Sequence, residues 1–458
     1  MKVIICGAGQ VGIGIAEQLA AEGNDVSIID VKPELVQRAN DMLDVRATLG
    51  NGAHPSVLEQ AGANDADMLI AVTLSDEVNM VACHVAHTLF DIPTKIARVR
   101  AQSYFASEVG PLFSRKNLAI DYIISPEVEV GDMVLRRLEL PGAFESLSFG
   151  DGKVQAVGIA CDEDCPVVDT PIRQLSELFP DLPAVIVAVV RNGTLFVPHQ
   201  DEELKTGDDV YVIVRADQVV RTLKIFGHEE SLARKVVIAG GGNIGLYVAR
   251  ALETRATAVR AKVIEANRAR AIEISEALSR TVVLHGSALS EDILREAEVQ
   301  SADTMVTLTN DDQVNILASM LATHLGCKRS LSLINNSTGY TSMVRSFGIE
   351  AQINPRAITV SRILQFVRRG RIRTVHSVHN GAGELIEAEA LETAQIIGKT
   401  IRQLDLDGVR FGAILRDGRV LAPAGSTEIE PKDRIILFAQ ADQVRFIEQL
   451  FQVSPDYF

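Results

Sequence analysis

Apolar residues recur along this chain with two different periods, and the alternation between them is itself repeated. Residues 3–6, VIIC, form a short continuous apolar run of the kind a fully buried strand needs. A glycine-rich turn follows, after which Ile15, Ala16, Leu19 and Ala20 recur at helical spacing until Gly23 and Asn24 stop them. VSIID gives the next strand, and LEQAG, MLIAVT, NMVACHVAHTLF and KIARVR continue the pattern. Strands separated by helices of this length predict βαβ units and a parallel sheet. Further along the texture changes. Short strands such as AVIVAVV and DDVYVIV are punctuated by Asn192-Gly193 and Thr206-Gly207, with few helical stretches, which predicts a small α+β lobe.

The whole sequence of events then happens again. Gly7, Gly9 and Gly12 are matched by Gly240, Gly242 and Gly245, and AGANDADMLIAVTLSDEVNM (61–80) by AEVQSADTMVTLTNDDQVNI (297–316). That second match pairs Asp67 with Asp303, Thr73 with Thr309 and Asn79 with Asn315. RNGTLFVPHQDEELKTGDDVYVIV (191–214) aligns with RDGRVLAPAGSTEIEPKDRIILFA (416–439). Self-similarity of this kind decides the architecture before any single element does. The predicted fold is α/β, with two Rossmann-like parallel-sheet domains, each followed by a small α+β C-terminal lobe. The expected partition is 1–124, a connecting helix at 125–143, a lobe at 144–228, a second nucleotide-binding domain at 229–354, a connecting helix at 355–372 and a lobe at 373–458.

Both connectors begin with a polar residue and a proline, Ser125-Pro126 and Asn354-Pro355, as helices commonly do. Ile358, Ile363, Leu364 and Val367 then recur at helical spacing. Two uses fit such a stripe: capping the connector's own domain, or pairing the two units. The basic run Arg368, Arg369, Arg371 and Arg373 reads as a solvated face in preference to a site.

The chemistry is concentrated at the glycines. Gly7 permits the tight turn out of the strand, Gly9 lets the backbone approach a pyrophosphate, and Gly12 allows helix and strand to pack closely. The helix N-terminus supplies N–H groups for an anion. Asp30 closes the second strand, where a carboxylate accepts hydrogen bonds from ribose hydroxyls and repels a 2′-phosphate, which favours NAD over NADP. Glu265 takes that place in the second copy. No Ser-His-Asp set or carboxylate pair stands at a recognisable spacing. His84 and His87 read as an ordinary helix face, and Cys161 and Cys165 as part of an acidic loop and not as metal ligands. Two cradles without a reaction point to sensing.

Composition narrows the partners. The 458 residues carry 45 Lys and Arg against 60 Asp and Glu, a formal net charge of −15 that repels nucleic acid and anionic membrane surfaces. The longest apolar runs, such as Ala184 to Val190, are far shorter than the ~20 residues a bilayer crossing needs, so no membrane insertion is expected. The N-terminus has no basic region ahead of a secretory core, and the five cysteines are scattered, which predicts a cytoplasmic place.

GAGQVG, Asp30, the segment at 62–79 and GGGNIG, in this order, are marks of a known group. The chain resembles, over essentially its whole length, the TrkA family of potassium-uptake regulators, cytosolic proteins built from two tandem RCK (regulator of K⁺ conductance) units. The resemblance implies that the first site holds NAD(H) or ATP/ADP. Gly7, Gly9, Gln10, Val11 and Gly12 would run along the phosphates, with Asp30 at the ribose and Gly50 and Asn51 near the adenine. Thr73 would lie near the cofactor, and Arg98 or Arg100 would reach phosphate. In the second copy Gly240, Gly242, Asn243, Ile244, Gly245 and Glu265 correspond, with Gly286 and Ser287 in the adenine place and Thr309 following. Ile334 and Asn336 stand where Arg98 and Arg100 would be, so weaker binding is expected there. The resemblance also implies a tetrameric ring docked on a membrane K⁺ channel or transporter subunit, TrkH/TrkG-like, with no catalysis. An NAD-dependent oxidoreductase and a regulator of a cation antiporter are the competing readings.

Overall fold

A strand buried on both faces can afford only apolar side chains, and Val3, Ile4, Ile5 and Cys6 are each at most 2% exposed. They belong to β1 (Lys2–Cys6), the centre of the first sheet in the computed structural model. The structure describes the chain except for residues 106–109, 180–181, 230–231, 257, 336–348, 350, 368–371, 405 and 453–458. Arg368, Arg369, Arg371 and Asn336 therefore lie outside the described residues.

With β2 (Asp25–Asp30), β3 (Arg46–Leu49), β4 (Met68–Ala71), β5 (Thr94–Arg98) and β6 (Tyr122–Ile124), β1 forms a parallel sheet in the order β3-β2-β1-β4-β5-β6. Strand order reverses between β1 and β4, and the crevice at such a switch point is where open α/β sheets bind ligands. Helices α1 (Gln10–Ala21), α2 (Pro33–Met42), α3 (Pro55–Gln60) and α4 (Asp76–Phe90) connect the strands. The connector α5 (Pro126–Glu139) leads into the first lobe, where β7 (Ala143–Phe149), β8 (Val154–Ala160), β9 (Val185–Arg191), β10 (Thr194–Phe196) and β11 (Asp209–Arg215) form an antiparallel sheet with α6 (Ile172–Leu178) and α7 (Val219–Ile225).

The second half repeats this plan. β12 (Lys235–Ala239), β13 (Arg260–Glu265), β14 (Val282–His285), β15 (Thr304–Thr307), β16 (Ser330–Leu333) and β17 (Ala351–Ile353) take the same relative order as the first sheet. They are joined by α8 (Asn243–Arg255), α9 (Arg268–Ala277), α10 (Glu291–Glu296) and α11 (Asp312–His324). The connector α12 (Pro355–Val367) precedes the second lobe, with β18 (Ile372–Val378), β19 (Gly383–Glu389), β20 (Val409–Arg416), β21 (Arg419–Leu421), β22 (Arg434–Gln440) and α13 (Val444–Leu450). One clamp recurs in both lobes: Arg191 grips Asp208 with Nε and Nη2, both at 2.8 Å, and Arg416 grips Asp433 likewise at 2.9 and 2.7 Å.

The connectors settle the relation between the halves. Val130, Val134, Leu135 and Leu138 of α5 are buried in the core of the second nucleotide-binding domain, beside Val248 and Leu252 of α8. Reciprocally, Val360, Ile363 and Leu364 of α12 enter the core of the first, beside Ile13 and Ala16 of α1. Of the two uses open to these stripes, pairing the units is the one adopted. Glycine allows both crossings to be close. A Cβ at Gly131 would lie 2.3 Å from the Tyr247 ring, and one at Gly14 would lie 3.2 Å from Arg356 and Val360. The Tyr247 hydroxyl and Arg255 Nη1 both donate to Asp132 Oδ1, at 2.8 and 3.0 Å, and Arg362 Nε donates to Glu129 at 3.2 Å between the two connectors. The lobes also share one core, in which Leu147, Phe149 and Ile213 of the first meet Leu385, Leu415 and Phe438 of the second. Burial of these faces is the main force joining the halves, since apolar area removed from water stabilises by roughly 25 cal/mol per Å².

Overpacking a close crossing costs about 1–3 kcal/mol. Gly131→Ala is therefore expected to lower the melting temperature, whereas Gly9→Ala, whose Cβ would meet no atom within 4 Å, leaves it unchanged; differential scanning fluorimetry of both variants checks this.

Candidate functional site

Two loops at the switch point form each cradle. Gly7, with φ of +112°, turns the chain out of β1, and a Cβ there would lie 3.0 Å from the backbone of Val72 and Thr73. A Cβ at Gly12 would sit 1.8 Å from the Gly7 carbonyl oxygen, so only glycine lets α1 start so near the strand. Gly240 (φ +105°) and Gly245, with 2.0 Å to the Gly240 oxygen, repeat both constraints. Gly9 and Gly242 are different. A Cβ at either would meet nothing within 4 Å, so these glycines leave space in front of the helix and not inside the protein.

That space faces uncapped helix ends. α1 and α8 begin at Gly9 and Gly242 with no side-chain cap and no acidic residue in the first turn. In α4, α9 and α11 the corresponding N–H groups are taken by Ser75, Asn267 and Asp311. The N–H groups of Gln10, Val11 and Gly12, and of Asn243, Ile244 and Gly245, thus supply donors and positive helix-end potential for an anion. An open cradle that a side chain at Gly9 would fill fits a pyrophosphate.

Asp30 has a structural task within the loop. Its Oδ2 accepts from Ala8 N at 2.7 Å and its Oδ1 from Lys32 N at 2.9 Å, clasping the glycine loop to the next helix. Glu265 repeats the clasp with Gly241 N and Asn267 N, both at 2.7 Å. Each carboxylate oxygen retains a second lone pair for a ligand hydroxyl. Gly50 donates its N–H to Asp30 O at 2.9 Å, and a Cβ there would lie 2.7 Å from Val57; Gly286 donates to Glu265 O at 3.0 Å and would meet Ile293 at 2.6 Å. Asn51 Oδ1 accepts from Ala53 N and Ser287 Oγ from Leu289 N, each shaping its own turn.

The opposite wall depends on a residue that the sequence reading aligned without giving it a role. Asn79 is fully buried, accepts from both N and Oγ1 of Thr73 at 2.8 and 2.7 Å, and donates to the carbonyl oxygens of Thr73 and Arg98. Asn315 does the same for Thr309, N at 2.9 and Oγ1 at 2.7 Å, and for Leu333 O. Its appearance in both repeats was the available signal.

The cations differ between the two copies. Arg98, 9% exposed, lies beneath the Thr73 loop, donating from Nη2 to Thr73 O at 2.7 Å, while its buried Nε has no hydrogen-bond partner. Burial and the neighbouring Arg100 depress its pKa below the usual guanidinium value. Arg100 Nε donates to Glu127 Oε1 at 2.9 Å, and its side chain stays 46% exposed, so Arg100 has the greater reach. Glu127 Oε2 is buried without a hydrogen bond. In the second copy Ile334 is 1% exposed and apolar, and Asp312 is satisfied by Asn335. A cation missed by the sequence reading stands elsewhere: Arg270, whose Nε donates to Gly241 O at 2.9 Å. The extra glycine of GGGNIG also has a packing cause, since a Cβ at Gly241 would be 2.4 Å from Ile274.

His84 and His87 lie on α4, the first exposed and the second partly buried, and Cys161 and Cys165 are buried in the loop after β8. Removing the Asn79 side chain leaves the Thr73 N–H without its acceptor, a cost of about 1–3 kcal/mol. Asn79→Ala should lower thermal stability by that order and speed amide exchange at Thr73, read by hydrogen–deuterium exchange.

Comparison with known proteins agrees with this fold. The TrkA-N domain family matches residues 3–126 and 236–355, and the TrkA-C domain family matches 157–227 and 385–452. The chain is 57% identical over 459 residues to the Trk system potassium uptake protein TrkA of Azorhizobium caulinodans, covering all of both chains. It is 41% identical to that of Halomonas elongata, again over all of both chains, and 36% to that of Vibrio alginolyticus over 99% of each. Among solved structures, the GsuK RCK domain superposes with a TM-score of 0.61 at 17% identity, covering 98% of this chain and 94% of that one. The GsuK channel bound to NAD superposes equally well, with 78% of its chain covered. Tandem TrkA-N and TrkA-C domains and full-length identity of this order place the chain in the TrkA family of Trk system potassium uptake proteins.

Proposed function

We propose that this chain is the nucleotide-sensing regulatory subunit of a Trk-type potassium uptake system, acting on a TrkH/TrkG-like membrane subunit and catalysing no reaction. One observation carries the reading: each glycine-loop helix, the element whose end faces the ligand, is packed against the connector helix of the other repeat. A nucleotide held at the start of α1 or α8 therefore acts on the contact that sets the two halves against each other. A ligand shifts such an arrangement only by its differential affinity for the alternatives, and two cradles per chain multiply the shift. The names of the full-length relatives support the potassium-uptake role.

NAD(H) is the ligand this reading favours, with ATP/ADP as the second class; a fold neighbour is an NAD-bound channel. The N–H groups of Gln10, Val11 and Gly12 hold the pyrophosphate, Asp30 the ribose, Gly50 and Asn51 the adenine edge, and Arg100, backed by Arg98 and Thr73, the far phosphate. Asn243, Ile244, Gly245, Glu265, Gly286, Ser287 and Thr309 take those parts in the second copy. The functional partition is 1–124, 125–143, 144–228, 229–354, 355–372 and 373–458.

Assembly into a homotetrameric ring on the inner face of the membrane completes the proposal. Val81 on α4 and Leu317 on α11 occupy matching positions of the two repeats and are 45% and 48% exposed, which supports burial of both faces between copies. None of the described helices is long and apolar enough to cross a membrane, so docking is through the partner.

Gly9→Val and Gly242→Val fill the two open spaces without touching the fold, so each should abolish adenine-nucleotide binding at one cradle while leaving the melting temperature of the empty protein unchanged. Calorimetry with NAD⁺, NADH, ATP and ADP on the wild type, both variants, Asp30→Ala and Glu265→Ala tests this, with Asp30→Ala expected to cost more affinity than Glu265→Ala. Absence of nucleotide binding by the wild type would sink the reading.

A further inference from the structure

Arg270 occupies the third position of α9, directly after the strand that ends in Glu265. The third position of α2 in the first repeat is Leu35, which packs against the core. The exchange is part of a local set. Ala8, Leu35 and Ala39 of the first cradle become Gly241, Arg270 and Ile274 of the second, and the larger Ile274 is accommodated by the missing Cβ of Gly241. Arg270 is held on both sides, with Nε on Gly241 O at 2.9 Å and Nη1 on Glu273 Oε1 at 2.6 Å, and its backbone N is capped by Asn267 Oδ1 at 3.0 Å. Glu265 Oε2 accepts from the N–H of the same Gly241. Guanidinium and carboxylate thus flank one residue of the glycine loop, at the corner where a Rossmann fold receives the adenosine ribose.

The charged residues at that corner are placed differently in the two repeats. Asp30 to Arg38 carries Asp30 and Glu34 with Lys32 and Arg38, and Glu265 to Glu273 carries Glu265 and Glu273 with Arg268 and Arg270, so the balance is equal and the difference is that Arg270 stands against the glycine loop. Arg98 and Arg100, which stand at the far end of the first cradle, have no cationic counterpart at Ile334. The first cradle therefore has Arg98 and Arg100 at its far end, and the second has Arg270 hydrogen-bonded to its glycine loop.

Resting on the nucleotide-sensing reading above, we propose that Arg270 sets the specificity of the second cradle, making it accept an adenine dinucleotide with an extra phosphate on its adenosine ribose, which the first cradle rejects. A carboxylate alone at the end of the second strand repels such a phosphate, while an arginine beside it accommodates the group. Both oxygens of Glu265 accept from backbone donors, as do those of Asp30, so what distinguishes the second cradle is the preoriented guanidinium, which adds a planar, charge-assisted contact.

The test isolates each cradle in the full-length chain and measures NADH and NADPH by calorimetry and by nicotinamide fluorescence. Gly9→Val protein, with only the second cradle open, should bind NADPH within about threefold of NADH. Gly242→Val protein, with only the first open, should bind NADPH at least about tenfold more weakly than NADH, the loss expected where a charge-assisted contact is replaced by a repulsive one. Adding Arg270→Leu to Gly9→Val should shift the NADPH to NADH affinity ratio against NADPH by about tenfold or more, and Arg270→Lys should recover part of that shift. Leucine holds the equivalent place in α2, and thermal melts of the empty variants report any loss of folding. An unchanged ratio on Arg270→Leu, or equal discrimination against NADPH by both cradles, overturns the proposal while leaving nucleotide sensing intact. Failure of Gly9→Val protein to bind either nucleotide also overturns it; NADH binding by Gly242→Val protein then confines sensing to the first cradle, and its absence there rejects the sensing reading as well.

Discussion

Each connector helix buries its apolar stripe in the other repeat, and most of what the molecule is follows from that exchange. α5 leaves the first nucleotide-binding domain and completes the core of the second, while α12 returns the favour, so neither domain holds its full complement of apolar contacts alone. Small residues at the crossings let the helices approach closely enough for a clash to be felt at once, since close-packed interiors transmit displacement instead of absorbing it. The partners at each crossing, α1 and α8, are also the helices whose N-termini face the ligand space. Contact and site belong to the same rigid element, and in α1 the contact at Ile13 and Gly14 lies within a turn or so of the glycine loop.

The cradles are prepared in advance of any ligand. Asp30 and Glu265 hold the glycine loop to the following helix, and Asn79 and Asn315 hold the opposing loop by four hydrogen bonds each. On the nucleotide-sensing reading proposed above, binding orders little of the protein, which preserves affinity. The two sites share this scaffold and differ in where they place positive charge. Arg98 and Arg100 stand beyond the Thr73 loop and Arg270 stands beside Gly241, so two copies of one fold differ in their electrostatics at equivalent loops. The lobes, by contrast, retain the same arginine–aspartate clamp at Arg191 and Arg416, as befits a part whose common task is to pack against its twin.

What the sequence determined by itself were the features encoded at short range. The alternation of buried runs and helical stripes specified the parallel sheets, and the glycine spacing marked both tight strand-to-helix turns, because each of these signals lies within a single strand–turn–helix unit. Self-similarity supplied the rest of the architecture, since a repeated pattern must fold the same way twice. The outer placement of α5 and α12 was undecided at that level: an apolar stripe states that something covers it, not what. Only the tertiary structure chose the opposite repeat, through contacts between residues more than a hundred positions apart, such as Tyr247 and Asp132. The same holds for the burial of Arg98 and the arrival of Arg270 at the second glycine loop. Each depends on which backbone group folding brings within 3 Å of a polar side chain, and no local spacing carries that information.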